Sequence, residues 1–316
     1  MPIANQIATQ GANTAYLAKG QEVFDKPEDG PWRSFVEEMP TDGQYLVLDQ
    51  IGPAGRVREL VGSRAYASLR AYSKMVRVAT YAQDAIRLAR KLVDLDKSGG
   101  VTRRLANYLD TSKGIWGRVS VETLLSNPKG IDNVSLLNDS HPHSSTGSTW
   151  DNKTTAALDQ AELKAGILAM EGLLLENGSP AGVSPTHLMV GPKLRRTALD
   201  LCGAMRPVAV NSSGAPDATS SVVAAVMQEN WLRGQLQVIV EPLFSDGTHD
   251  DDWFLMDLSK PGVRPIAFGE ATKPYAVAVT SPDSPAMIEN DEYEYFVQGD
   301  AAWGGFIPHC IYGRCA

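Results

Sequence analysis

Two histidines, His141 and His143, flank Pro142, with Asp139 just upstream and a Ser/Thr/Gly-rich run, Ser144 to Thr149, just after. Residues two apart on a strand point the same way, so the pair could hold a metal ion. The proline between them opposes a regular ladder, and Asp-Ser-His-Pro favours a turn through side-chain bonds to the backbone. A metal would also need further ligands. The acids of "HDDD", His249 to Asp252, could be brought in by folding. That run could attract magnesium by itself, but a solvated loop ahead of the apolar "WFLMDL" accounts for it better. Asp139, His141 and Pro142 are therefore read as a structural turn, with no metal and no catalytic role. The hydroxyls of Ser144 to Thr149 have no base placed beside them by sequence. Cys202, Cys310 and Cys315 lack the spacing of a zinc knuckle and read as free thiols.

Other signatures of catalysis are missing. The chain has no GxxxxGK[ST], no GxGxxG after a strand and no G-x-S-x-G elbow. No catalytic residue and no cofactor is expected. The 316 residues suffice for a sizeable core, and 43% of them are apolar. No run of 18 apolar residues suggests a membrane span, and the first twenty residues do not read as a secretory signal. A reducing compartment is expected.

Charge is distributed unevenly. Between Arg56 and Arg77 there are six basic residues (Arg56, Arg58, Arg64, Arg70, Lys74, Arg77) and one acid, Glu59. Between Glu241 and Asp300 there are thirteen acids and three bases. A net charge of −8 argues against gripping DNA through its phosphates. Opposite charge in two segments could instead set register between copies of one chain, or the two segments could simply be solvated faces.

These residues need elements to position them. Residues 1–32 show no sustained hydrophobic period and read as an extended arm, poorly able to bury itself. "QYLVLDQI" (Gln44 to Ile51) and "KMVRVATY" (Lys74 to Tyr81) read as strands of a protruding antiparallel ribbon, which needs something to lie upon. "QDAIRLARKLVDLDKSGG" reads as a helix stopped by Gly99–Gly100, and "VTRRLANYL" as its resumption. A second helix is expected from about Thr155 to Glu176, with Leu158, Ala161, Ala165, Leu168, Gly172 and Leu175 on its stripe. "HLMVGP" reads as a short buried strand, Pro192 as a helix start, and "NSSGAPDATSS" as a mobile loop. The remainder is strand-rich. Trp303, Phe306 and Tyr312 read as core or subunit contacts. Without a βαβ rhythm the fold class is α+β.

Several segments in order carry a resemblance. They are "LLNDSHP", "GSPAGVSPTHLMVGPKLRRTALDL", "LQVIVEPLF" with "DDWFLMDLSKPGVRPIAF", and "YEYFVQGDAAWGGFIPHCIYG". Together, over Leu136 to Gly313, they resemble the major head subunits of Mu-like phages, the gene-product T type. The stretch "VTRRLANYLDTSKGIWGRVSVETLL" departs from that pattern, and the first 130 residues match it by layout alone.

The resemblance implies the tailed-phage major capsid fold of the Hong Kong 97 type. It implies an N-terminal arm (1–32), an extended β-ribbon loop (33–80), a peripheral domain with a spine helix (81–126 and 286–300) and an axial domain (127–285 and 301–316). It also implies self-assembly into hexamers and pentamers that form an icosahedral shell around double-stranded DNA, located in the virion and built in the host cytoplasm. A scaffolding protein, a maturation protease and a portal would be partners, and no membrane is involved. Two other readings stay open: an encapsulin-like nanocompartment shell, and a metal-dependent hydrolase using His141, His143 and Asp250 to Asp252. Within the shell reading, the six basic ribbon residues are the expected inter-subunit contacts.

Overall fold

A computed structural model describes the chain except for residues 1, 27–29, 52–70, 97–98, 143–148, 176–177, 204, 211–223, 231 and 233. The loop "NSSGAPDATSS" and most of the ribbon tip therefore lie outside the described residues.

A five-stranded sheet carries one half of the molecule. Its strands are β1 (Val36–Glu38), β4 (Ala79–Ala82), β5 (Ile86–Ala89), β13 (Ile266–Val279) and β14 (Glu292–Gly305). The order is β1-β13-β14-β4, with β5 also pairing β14. Around it lie α1 (Pro2–Phe24), α2 (Trp32–Phe35), α3 (Arg90–Asp94), α4 (Gly100–Ser112), α5 (Ile115–Leu125) and α8 (Pro285–Asn290). The ribbon is β2 (Tyr45–Ile51) against β3 (Ala71–Arg77). A second sheet, in the order β11-β8-β12-β15, contains β8 (His187–Val190), β11 (Gln237–Val240), β12 (Trp253–Met256) and β15 (Ile311–Arg314). It is flanked by α6 (Gln160–Glu171) and α7 (Arg195–Cys202). Two small hairpins complete the fold: β6 (His141–Pro142) with β7 (Thr149–Trp150), and β9 (Met205–Val210) with β10 (Ala224–Glu229).

Burial along β14 explains its length. Alternate residues Tyr293, Tyr295 and Val297 face the helices, as on a half-solvated sheet. From Ala301 onward every residue is buried, because the ribbon covers the second face. A Cβ on Gly304 would sit 2.8 Å from Val76 Cγ2, and one on Gly269 would sit 2.8 Å from Leu46 Cδ1. Leu46 and Leu48 are fully buried with Ala267, Ala302 and Ile307. The base of the ribbon thus lies on its own chain's sheet.

The first residues also differ from expectation. Residues 2–24 form a helix, and one stripe of its described side chains is docked. Tyr16 is buried, donates its hydroxyl to the Phe296 carbonyl (3.0 Å), and meets Tyr295 edge-on. The Tyr295 hydroxyl donates to Asn13 Oδ1 (2.6 Å). The inward stripe is Ala12, Tyr16, Gly20 and Val23, a helical spacing built mostly from small residues. A hydropathy pattern does not reveal such a stripe.

Two helix expectations are corrected. Ile86–Ala89 is a strand, antiparallel to Glu292–Tyr295, and its side chains alternate, with Ile86 and Leu88 turned inward and Arg87 and Ala89 outward. Only Arg90–Asp94 turns helical before the stop. Helix then resumes as α4, where the Asp96 carboxylate accepts the N–H groups of Gly100 (3.0 Å) and Val101 (2.8 Å). The second expected helix is shorter, Gln160–Glu171, with Asp159 capping the Glu162 N–H at 2.8 Å. Its buried face is Leu163, Gly166, Ile167 and Met170, whereas Leu168 is 59% exposed. Among the described residues no helix is long and apolar enough to cross a membrane.

Candidate assembly surface and the buried polar hub

His141 is fully buried, on the first rung of the β6–β7 hairpin opposite Trp150. Its Nδ1 lies 2.7 Å from Asp132 Oδ2 and its Nε2 lies 3.1 Å from Asn152 Oδ1. Asn152 is itself buried and its orientation is fixed by its neighbours. Its Oδ1 accepts the Asn138 N–H (2.8 Å), while Nδ2 is shared among the carbonyls of Leu136 (2.8 Å), Pro308 (3.1 Å) and Ile311 (3.2 Å). The Asn152 main chain also bonds to Asn138 and Gly313. Trp150 stacks on both the His141 and His309 rings, with centroids 4.4 and 4.6 Å away.

Both His141 nitrogens are thus engaged by Asp132 and Asn152, so neither faces a third group as a metal ligand would. His143 lies outside the described residues. Asp139 is exposed at the approach to the hairpin. The arrangement is a polar knot tying Asp132, Leu136, Asn138 and Asn152 to the segment that starts β15. Sequence reasoning named His141 and Pro142 but missed Asn152, whose partners lie as far as 159 residues away.

The basic ribbon is partly visible. Arg56, Arg58, Arg64 and Arg70 lie outside the described residues. Arg77 is exposed, opposite Tyr45 at the ribbon's base. Lys74 is turned inward. It donates to the carbonyls of Lys129 and Gly130, the latter at 3.4 Å. Burial holds its ammonium below the usual lysine range, with Asp132 opposing and Lys129 adding to the shift. Lys74 therefore serves contacts within its own chain.

The acidic segment is spread across both sheets. Glu294 pairs with Arg87 (2.8 Å) and Asp251 with Lys193 (2.8 Å), while Glu270 accepts the Trp116 indole N–H (2.8 Å). Asp252, expected in a solvated loop, is fully buried. Asp283 and Glu289 are exposed.

A sequence model described as phage capsid protein matches residues 71–308, well over half of the chain. The chain belongs to the phage capsid protein family. No curated protein matches it in sequence. Among solved structures, a chain from Microbacterium phage Oxtober96 superposes with a TM-score of 0.54 at 10% identity, covering 92% of each chain, so the two share a fold. The capsid of the cyanophage P-SCSP1u gives 0.49 at 7% identity, covering 92% of this chain and 89% of that one. The capsid of bacteriophage JBD30 gives 0.48 at 10% identity, and this chain spans 64% of that chain's length.

As a phage capsid protein, the chain is a structural component of a virion. The matched span begins at β3 and takes in the His141–Asn152 knot and both long strands; α1 precedes it. The aromatic residues singled out in the sequence are core. Trp303 packs on Trp116 and Phe268 and donates to Ser120 Oγ (2.9 Å). Phe306 is buried under the ribbon. Tyr312 donates to Glu162 Oε1 (3.0 Å), and burial followed by that carboxylate pushes the phenol up to about 12. Large apolar side chains left on the surface include Ile288 (70% exposed), Met75 (66%) and Leu95 (61%).

Proposed function

We propose that this chain is the major head subunit of its phage, self-associating into hexamers and pentamers that close an icosahedral shell around double-stranded DNA. The observation that carries the reading is the family match over residues 71–308. Exposed Met75, Leu95 and Ile288 support it, since surface apolar groups are what neighbouring subunits would desolvate. Closed rotational symmetry then repeats modest contacts many times.

The finer assignment is a Hong Kong 97-type fold of the Mu-like lineage, and the ordered motifs between Leu136 and Gly313 favour it. The domain reading keeps the bounds 1–32, 33–80, 81–126 with 286–300, and 127–285 with 301–316. In it, the first segment is a docked helix and the ribbon's base rests on its own sheet. A scaffolding protein, a maturation protease and a portal would be partners. Assembly would take place in the host cytoplasm. DNA would be held by enclosure, consistent with the net charge of −8.

Negative-stain microscopy of the purified chain tests the reading. Closed shells of uniform size are the expected result; a dispersed monomer at high concentration would overturn it. Register is assigned to the basic ribbon residues Arg56, Arg58, Arg64, Arg70, Lys74 and Arg77, of which Lys74 also bonds within its own chain. Reversing Arg56, Arg58 and Arg64 to glutamate should give folded subunits that no longer close shells. Normal shells from that variant would remove the ribbon charges from the mechanism.

A further inference from the structure

The loop entering β12 carries Asp246, His249 and Asp252, and Cys315 follows β15 alongside it. One ligand atom each from His249, Asp252 and Cys315 converge, all lying within 4.8 Å of one another. Among the described residues no other three such groups do so. Asp252 and Cys315 are buried and His249 is half-buried, so the cluster opens to solvent on the imidazole side.

Its polar groups are incompletely satisfied. Asp252 Oδ2 lies 2.6 Å from His249 Nδ1 and accepts the Ala316 N–H at 3.1 Å. Oδ1 of the same carboxylate is buried and has no hydrogen-bond partner. Buried polar atoms are nearly always paired, and a carboxylate oxygen left bare is costly. On its other side, His249 Nε2 faces Asp246 Oδ2 at 3.8 Å. A carboxylate behind an imidazole is the usual outer support of a metal-bound histidine.

We propose that His249, Asp252 and Cys315 form a binding site for a divalent transition-metal ion, zinc before others, which clamps the end of β15 to the start of β12. Imidazole nitrogen, carboxylate oxygen and thiolate sulfur together are a zinc donor set, whereas magnesium and calcium call for oxygen alone. The bare Asp252 oxygen gains its partner in the ion. One carboxylate and one thiolate balance the double positive charge, so no net charge is buried. On binding, metal–sulfur, metal–oxygen and metal–nitrogen bonds form; the Cys315 S–H bond, which donates to the Leu125 carbonyl (3.1 Å), breaks and its proton leaves to solvent, while the proton between His249 Nδ1 and Asp252 Oδ2 is given up and carried instead on Nε2, facing Asp246, so that nothing is oxidised or reduced. Tetrahedral zinc holds its ligand atoms about 3.5 Å apart, inside the 4.8 Å within which the three groups lie. Water takes the fourth position on the His249 side.

Cobalt(II) added to the metal-free full-length chain tests the site by spectroscopy. One equivalent should give a thiolate-to-cobalt charge-transfer band and intense tetrahedral visible bands, and zinc should displace both. Cys315→Ser and Asp252→Asn should abolish the charge-transfer band or weaken binding at least a hundredfold. Cys202→Ser and Cys310→Ser should leave it intact. Asp246→Asn should weaken binding about tenfold, the effect of losing an outer support. Should Cys315→Ser fail to fold, His249→Gln removes a ligand from the half-exposed side without touching the core. A folded wild-type chain that shows no thiolate band, or a band that survives loss of Cys315 or His249, would overturn the proposal. Shell formation is not part of the readout, so this test stands apart from that of the capsid reading.

Discussion

A histidine bonded to a carboxylate sits near each end of β15, the histidine buried at one end and the carboxylate at the other. At the Ile311 end, His141 and Asn152 have every side-chain nitrogen and oxygen engaged, and apart from each other their partners lie in two stretches, Asp132 to Asn138 and Pro308 to Ile311. At the Cys315 end, His249 and Asp252 are held as tightly, yet one buried carboxylate oxygen has no partner. A saturated polar knot is an internal fastener, since adding anything to it would break a bond. An unsaturated one leaves coordination capacity for something else. Residue types alone do not distinguish the two; the count of satisfied atoms does.

The comparison can be broken most readily at Asn152. Asn152→Leu removes one acceptor and a donor group facing three carbonyls in a fully buried place, and should cost about 3–5 kcal/mol. Denaturant unfolding of the subunit measures it, and a loss below about 1 kcal/mol would mean the knot is not a fastener. His141→Phe keeps a ring against Trp150 but takes one partner each from Asp132 Oδ2 and Asn152 Oδ1, the latter keeping the Asn138 N–H. A loss of about 2–3 kcal/mol is expected by the same assay. The smallest effect should come at the other end. In metal-free protein, Asp252→Asn keeps an acceptor for the Ala316 N–H and gives up an already bare oxygen, so a change of about 1 kcal/mol or less is expected. Zinc should raise the wild-type Tm and leave that of Asp252→Asn unchanged. Equal losses at Asn152 and Asp252 without metal would erase the distinction.

The sequence discloses these regions unequally. The strands at Tyr45–Ile51, His187–Val190 and Trp253–Met256 are legible because a burst of apolar residues between turn formers has one outcome. Ile86–Ala89 is not, because "IRLA" fits helix and strand alike, and only the offered edge of β14 decides. The docking of α1 is hidden because its inward face is Ala12, Tyr16 and Gly20, which little distinguishes from a polar arm. The proline beside His141 disfavours a regular ladder there, yet His141 takes the first rung of a short hairpin. The polar knot itself is not legible, since Asn152 reaches carbonyls at Pro308 and Ile311 that no local spacing brings near. Cys315 joins Asp252 only because β15 happens to pair with β12.

The pairing of β13 with β14 has a mechanical side. It runs from Ile266 opposite Gly305 to Val279 opposite Glu294, about 40 Å. One end carries α1 and α4, and the other passes beneath the ribbon into the tryptophan core. The ladder slips twice on the β13 side, between Glu270 and Thr272 and again between Thr272 and Tyr275. Such slips bend and twist a strand locally. The plank is thus regular along both halves and creased near its middle, between the two cores that it joins.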